Sequence, residues 1–224
     1  MKTKEQLKVY RQAVLKEAFD SIEDRTDGAL IKDACKNVKV GIVIKPTQYY
    51  VEKDGIKAFR NANVRRNHID NSGWALISRE GHEKNKKSIV HENDVVIARS
   101  GANLGMASVI PVEFDGYNAI DIVIAEPDLT KVNPHYLAYF INSPYGIHIV
   151  NEYQHGGAQG HLNVKEFGLL PFILGPIVEQ NRVVAEIESR LSVCDSIERT
   201  VDTALQQAEA MHQSILKKAF EGEL

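Results

Sequence analysis

The chain has 224 residues, with 27 Lys and Arg against 30 Asp and Glu and a net charge of −3. That length supports one large or two small units with a real core, and 43% hydrophobic with 25% charged residues is ordinary for a globular chain. The balance excludes a globally basic polyanion binder, though not a local one. Ten Lys and Arg face six Asp and Glu from Lys53 to Arg99, while Pro111 to Thr130 carries five acids and no base. Cys35 and Cys194 lie far apart without Cys-x-x-Cys spacing, which argues against a disulfide framework or structural zinc and suits a reducing compartment. MKTKEQLKVYRQ has no apolar stretch behind its charges, and no run approaches the ~18 apolar residues of a membrane span. A soluble, cytoplasmic protein is expected.

In chain order, residues 10–19 (YRQAVLKEAF) have helical spacing of apolar positions. They return near the other end as MHQSILKKAF: Gln12, Leu15, Lys16, Ala18 and Phe19 match Gln213, Leu216, Lys217, Ala219 and Phe220 in register. A chain that begins with a copy of its own ending has the form of one unit of a tandem array.

From Ala29 to about Asn133 the pattern is of short β-like runs: Val40–Lys45, Lys57–Phe59, Ala75–Ser78, Asp94–Arg99, Ala107–Pro111 and Ile120–Ala125, punctuated by Gly, Asn and Asp. Asn133-Pro134 reads as an N-cap with proline at the first helical position, followed by HYLAYFINS and by a second helix over Tyr145–Tyr153. A glycine-rich loop, Gly156–Gly160, comes next, and Val164–Leu174 returns toward strand or turn.

No proline or glycine interrupts Ile177–Phe220. Ile187, Leu191, Cys194, Ile197, Val201, Ala204, Ala208, Met211 and Ile215 advance by threes and fours, the period of a coiled-coil seam. Such a helix is about 60 Å long. It cannot bury its stripe on a domain of this size and needs another helix, from residues 2–19 or from a second chain.

Catalytic signatures find little support. Asn133-Pro134-His135-Tyr136 resembles the Asn-Pro-Pro-Tyr motif of amino-methyltransferases but lacks the second proline and a preceding glycine-rich donor loop, and helix capping accounts for it. Gly156–Gly160 lacks the Lys-Ser/Thr of a phosphate loop. His148, His155 and His161 have no Cys or acidic partner at metal-ligand spacing, and no G-x-S-x-G elbow occurs. No catalytic residue, metal or cofactor is expected.

The segment from Pro171 through Gln180 and the helix to the tail Gln213–Leu224 (QSILKKAFEGEL) resembles the distal conserved region of type I restriction–modification specificity subunits. Gly175 departs from the family's usual proline before the turn. GIVIKPTQYYVEKDGIKAFRNANVRRNHID, NDVVIARSGANLGMASVIP, PHYLAYFINSPYG and GGAQGHLNVKEFGLLPF resemble successive parts of that family's target-recognition domain, so the likeness covers essentially the whole chain.

The resemblance implies an α+β protein. Residues 1–23 would be a short N-terminal helix ending an upstream conserved region. Residues 24–176 would be a mixed α/β target-recognition domain, and 177–224 a long conserved helix forming a coiled coil. It further implies a non-catalytic half-length specificity subunit that binds double-stranded DNA and a modification (methyltransferase) subunit, and through it a restriction subunit, at a bipartite site. The dimer or partner seam would be Ile187, Leu191, Cys194, Ile197, Val201, Ala208, Met211 and Ile215. The alternative is a coiled-coil interaction or regulatory protein of such descent that reads no DNA.

Candidate DNA contacts follow from side-chain chemistry, since Arg, Asn, Gln and His make directional pairs to base edges whereas Lys suits phosphate. They are Arg60, Asn61, Asn63, Arg65, Arg66 and His68, next to Asn67; Lys84, Lys86 and Lys87 as phosphate contacts; Arg99, Ser100 and Asn103; and Gln154, His155, Gln159 and His161 around the glycine loop. An alternating strand would put Arg66 and His68 on one side and Arg65 on the other, whereas a loop would gather all three.

Overall fold

The computed structural model describes residues 2–22, 28–155 and 161–221, with the backbone alone described at 2, 153–155 and 219. The elements run α1 (Lys2–Asp20), α2 (Ile31–Ala34), β1 (Cys35–Val40), β2 (Ile56–Phe59), β3 (Val64–Arg65), β4 (His68–Ile69) and β5 (Ala75–Ile77). Next come α3 (Arg79–Lys84), β6 (Val95–Ala98), β7 (Ala107–Val109), β8 (Asn118–Ala119) and β9 (Ile122–Pro127). The chain then turns helical, with α4 (Pro134–Asn142), α5 (Pro144–His155), α6 (Val164–Gly168) and α7 (Ile177–Glu221). The architecture is α+β, with a helix before the sheets and a long one after them.

The central sheet has strand order β1-β9-β6-β7, all antiparallel. Its two middle strands are buried on both faces, which is why Val95–Ala98 and Ile122–Ala125 read as unbroken apolar runs rather than alternating ones. Val95, Ile97, Val123 and Ala125 face a layer of helices, where they join Leu15, Phe19, Leu137 and Phe140. Val96, Ala98, Ile122 and Ile124 face the other way, onto Phe59, Val90, Ile110 and Phe114. That second layer contains an aromatic box of Phe59, Trp74, Phe114 and Tyr117, with Lys57 Nζ 5.6 Å from the Trp74 ring.

Two expected elements are corrected. The apolar run Val40–Lys45 is not a strand. Pairing to β9 is made by the preceding residues Cys35–Val40, and the chain leaves the sheet at Gly41, where a Cβ would fall 2.3 Å from the Ala119 carbonyl oxygen. Val43 and Ile44 are exposed and Lys45 is left-handed at φ 44°. Val164–Leu174 begins not as strand or turn but as the helix α6, whose N-cap Asn163 accepts from the Lys165 amide. Later in the segment, Pro171 bridges to Leu30.

The cap at Asn133 forms as expected, its side chain accepting from the His135 and Tyr136 amides. Buried Gln180 locks α7 to that same corner: its Oε1 accepts from the Asn133 amide, and its Nε2 donates to the carbonyls of Lys131 and Gly175. Helix α1 runs antiparallel along α7. Lys4 pairs with Asp202, Arg11 with Asp195 and Glu198, and Glu17 with Arg190. Such exposed pairs add little energy and chiefly mark register. The energy lies in Val14, Leu15, Ala18 and Phe19, all 2% exposed or less. At 45 residues α7 is about 67 Å long, and it projects past its pairing with α1.

Phe19 packs edge-on against Tyr136 at 5.1 Å and Phe140 at 5.5 Å. Phe19→Ala is expected to cost about 3–5 kcal/mol, read from the urea unfolding midpoint. Asp94 is 5% exposed, and desolvation pushes its carboxyl from 3.8 up to about 6 even though it accepts the His91 amide. A raised native pKa gives stability that is present at low pH and lost as pH rises through 6. Asp94→Asn should therefore gain about 2–3 kcal/mol relative to wild type between a pH below 3.8 and neutral pH, measured by denaturation at both.

Candidate nucleic-acid interface

The donor-rich stretch after β2 folds as a 3-10 turn over Asn61–Asn63 followed by the β3–β4 hairpin. Its asparagines serve the fold. Asn63, 1% exposed, accepts the Arg60 amide and donates to the carbonyls of Asp70 and Ser72. Asn61 accepts from the amides of Arg99 and Ser100 at 2.7 and 3.3 Å, and donates to Ser100 Oγ and the Asp121 carbonyl at 3.0 Å each. Asn103 Nδ2 donates back to the Asn61 carbonyl, and the Leu162 amide donates to the Arg99 carbonyl.

Three of the four donor groups therefore converge: Arg60–His68, Arg99–Asn103, and His161 at the exit of the glycine loop. Arg60, His68 and His161 are exposed there, and Ser100 and Asn103 half-buried. Arg60 is tied to the Gly73 carbonyl, and Arg99 Nη1 lies 3.3 Å from Asp121. The side chains of Gln154 and His155, and Gln159 altogether, lie outside the described residues.

The hairpin settles the geometry of Arg65, Arg66 and His68. Arg65 and His68 are paired across the strands, and Arg66-Asn67 forms the two-residue turn, with Asn67 left-handed at φ 60°. Arg65 meets Asp70 at 3.1 Å. Arg66 bends into a cleft of about 930 Å³ between the hairpin, α1 and α7, bordered by Leu15, Tyr139 and Leu191. Its Nη1 is buried without a hydrogen-bond partner among the described residues, and desolvation lowers its basicity.

Sequence reasoning missed the residue that aims this tip. Buried Asn142 donates to Asn67 Oδ1 at 2.6 Å and to the Ala107 carbonyl at 2.8 Å, accepts the Ala107 amide, and receives Gln12 Nε2 on its own carbonyl. The one signal was a polar residue closing an otherwise apolar helix.

Lys84, Lys86 and Lys87 are exposed and lie elsewhere. The turn bearing Lys86 and Lys87 packs on β1 and β8, whereas the hairpin packs on β6 and β7, and β1 and β7 are opposite edges of the sheet. Lys84 pairs with Glu80 and Lys86 with Glu83. Along the seam, Ile187, Leu191 and Cys194 are buried and Val201 half-buried, while Ile197, Ala208, Met211 and Ile215 are exposed.

No family model matches the chain. It is 29% identical over 172 residues, 77% of its length, to the type I restriction enzyme EcoBI specificity subunit of Escherichia coli. It is 28% identical over 154 residues to the StySPI specificity subunit of Salmonella potsdam. This chain is similar to type I specificity subunits. It spans only 36% and 33% of those two relatives. The fold agrees: a structure from work on assembly and conformational transition of the type I R-M system matches with TM-score 0.67 at 19% identity, over 99% of this chain and 54% of the other. The HsdS subunit of Thermoanaerobacter tengcongensis matches with TM-score 0.62 at 19% identity, over 98% of this chain and 52% of its own.

Asn61→Ala should free the loop that carries Ser100 and Asn103. Amide exchange at Arg99 and Ser100 is expected to speed up, with a global loss of about 1–3 kcal/mol, both readable in one hydrogen-exchange series.

Proposed function

We propose that this chain recognises DNA sequence as the specificity module of a type I restriction–modification enzyme, with no catalytic step of its own. The observation that carries this reading is the convergence of Arg60–His68, Arg99–Asn103 and His161 on one side of the sheet, in a chain similar to specificity subunits. Exposed Arg60, His68 and His161 are the candidates for base edges, with Ser100 and Asn103 beside them. Arg65 and Arg99, each held by a carboxylate, suit phosphate contacts that set register.

The lysines at the opposite edge would contribute only to distant, salt-sensitive attraction. Modification and, through it, restriction subunits would supply methylation and cleavage in the cytoplasm. Because α7 outruns α1 and leaves Ile197, Met211 and Ile215 exposed, a second copy is expected to pair with it antiparallel. Two copies would then read two identical half-sites in inverted orientation.

Selection from a random duplex pool at two salt concentrations tests this reading. Enrichment of one motif, with affinity falling steeply in salt, is expected. Unselective recovery would favour a coiled-coil interaction protein that reads no DNA. His68→Ala should cost about 1–3 kcal/mol on the selected duplex and loosen one base position, whereas Lys86→Ala should weaken all duplexes alike. Ile197→Asp with Val201→Asp should leave a monomer in sedimentation.

A further inference from the structure

We propose that the cleft between the hairpin and the α1–α7 pair receives the end of α7 from a second copy, Phe220 of the partner subunit seating on its apolar wall and Glu221 of the partner subunit meeting Arg66. This rests on the two-fold pairing above and adds to it a site that one copy leaves incomplete.

The register comes from the seam. Ile197, Val201, Ala204, Ala208, Met211 and Ile215 advance in steps of four, three, four, three and four, a spacing that reads the same in both directions about Gln206. An antiparallel two-fold therefore sets Ile197 against Ile215 of the partner subunit, Val201 against Met211 of the partner subunit, and Ala204 against Ala208 of the partner subunit. Every apolar seam position finds an apolar counterpart, which is what isologous packing requires. The same register brings Phe220 of the partner subunit level with Ser192, and Glu221 of the partner subunit level with Leu191. Both Ser192 and Leu191 line the cleft.

The cleft suits that occupant in shape and charge. Its apolar wall is Leu15, Met106, Tyr139, Ile147 and Leu191, and about 930 Å³ is ample for an aromatic ring. Arg11 in the lining is matched by Asp195 and Glu198, and Arg65 by Asp70. Arg66 Nη1 is left buried with no hydrogen-bond partner among the described residues; Glu188 also lines the cleft without supplying one. A buried guanidinium nitrogen without an acceptor is costly, and a carboxylate brought in by the partner removes that cost. Phe220 is 89% exposed and Leu216 39%. They belong to the same Leu-Lys-x-Ala-Phe sequence that α1 buries through Leu15, Ala18 and Phe19.

Sedimentation equilibrium of the full chain tests the proposal. Arg66→Glu, Glu221→Arg and Phe220→Ala are each expected to raise the dimer dissociation constant by about tenfold or more, and Arg66→Glu with Glu221→Arg to restore it to within about threefold. Recovery in the double variant excludes misfolding as the cause of the single losses. If the single variants leave the dimer unchanged while Ile197→Asp with Val201→Asp dissociates it, the cleft site is overturned and the two-fold pairing stands. A monomeric wild type overturns both. Loss of duplex binding by Arg66→Glu with an unchanged dimer assigns the guanidinium to a phosphate and overturns the proposal.

Discussion

The edge-on packing of Phe19 between Tyr136 and Phe140 is the contact on which the arrangement of the molecule depends. Phe172, from the segment leading into α7, closes on the same two rings at 5.9 and 5.0 Å. One ring from the first helix, two from α4 and one from the approach to α7 thus meet at a single point under the sheet. Edge-to-face contacts are directional as well as apolar, so this junction fixes how the helix pair stands relative to the strands. Gln180 adds the polar half of the same joint by satisfying an amide and two carbonyls at the start of α7. Without the joint, a helix longer than the body it springs from would have no defined direction.

From that joint the candidate interface is reached in two steps. Gln12, one turn before the wedge residues of α1, donates to the Asn142 carbonyl at the end of α4, and the Asn142 side chain grips both β7 and the hairpin turn. The tip carrying Arg66 is therefore referenced to the helices and not only to the sheet. On the far side of the hairpin, Asn61 and Asn63 hold the two loops that present Arg60, Ser100 and Asn103. Every link is a buried or half-buried amide with its partners satisfied, the kind of network that specifies one geometry.

The long helix, its antiparallel companion and the two central strands were legible in the sequence because each has a strong periodic cause: a seam of threes and fours, a repeated decapeptide, and apolar runs buried on both faces. The first strand was displaced because Gly41-Ile42-Val43-Ile44 has β-branched composition but, beyond a single bridge from Ile42 to Ile120, does not continue the pairing with β9. Helix α6 was hidden by its brevity. At the interface, residue type alone could not separate an asparagine offered to a ligand from one consumed by the backbone. Asn63 is the plain case, a donor-rich residue with nothing left to donate. Asn142 was invisible for the opposite reason, since its partners are remote in sequence.

If residues 60–68 read DNA as proposed, their division of labour bears on how that preference changes over time. Arg60, Ala62 and His68 are exposed, while Asn61, Asn63 and Val64 between them are engaged with the rest of the fold. Drift at the first set meets no packing constraint, whereas drift at the second set breaks the loop that presents the first. New specificities should therefore accumulate at scattered single positions within an unchanging asparagine frame. Grafting this segment onto another scaffold would fail unless the recipient already carries the Asp121, Asp70 and Ser72 carbonyls that the frame grips.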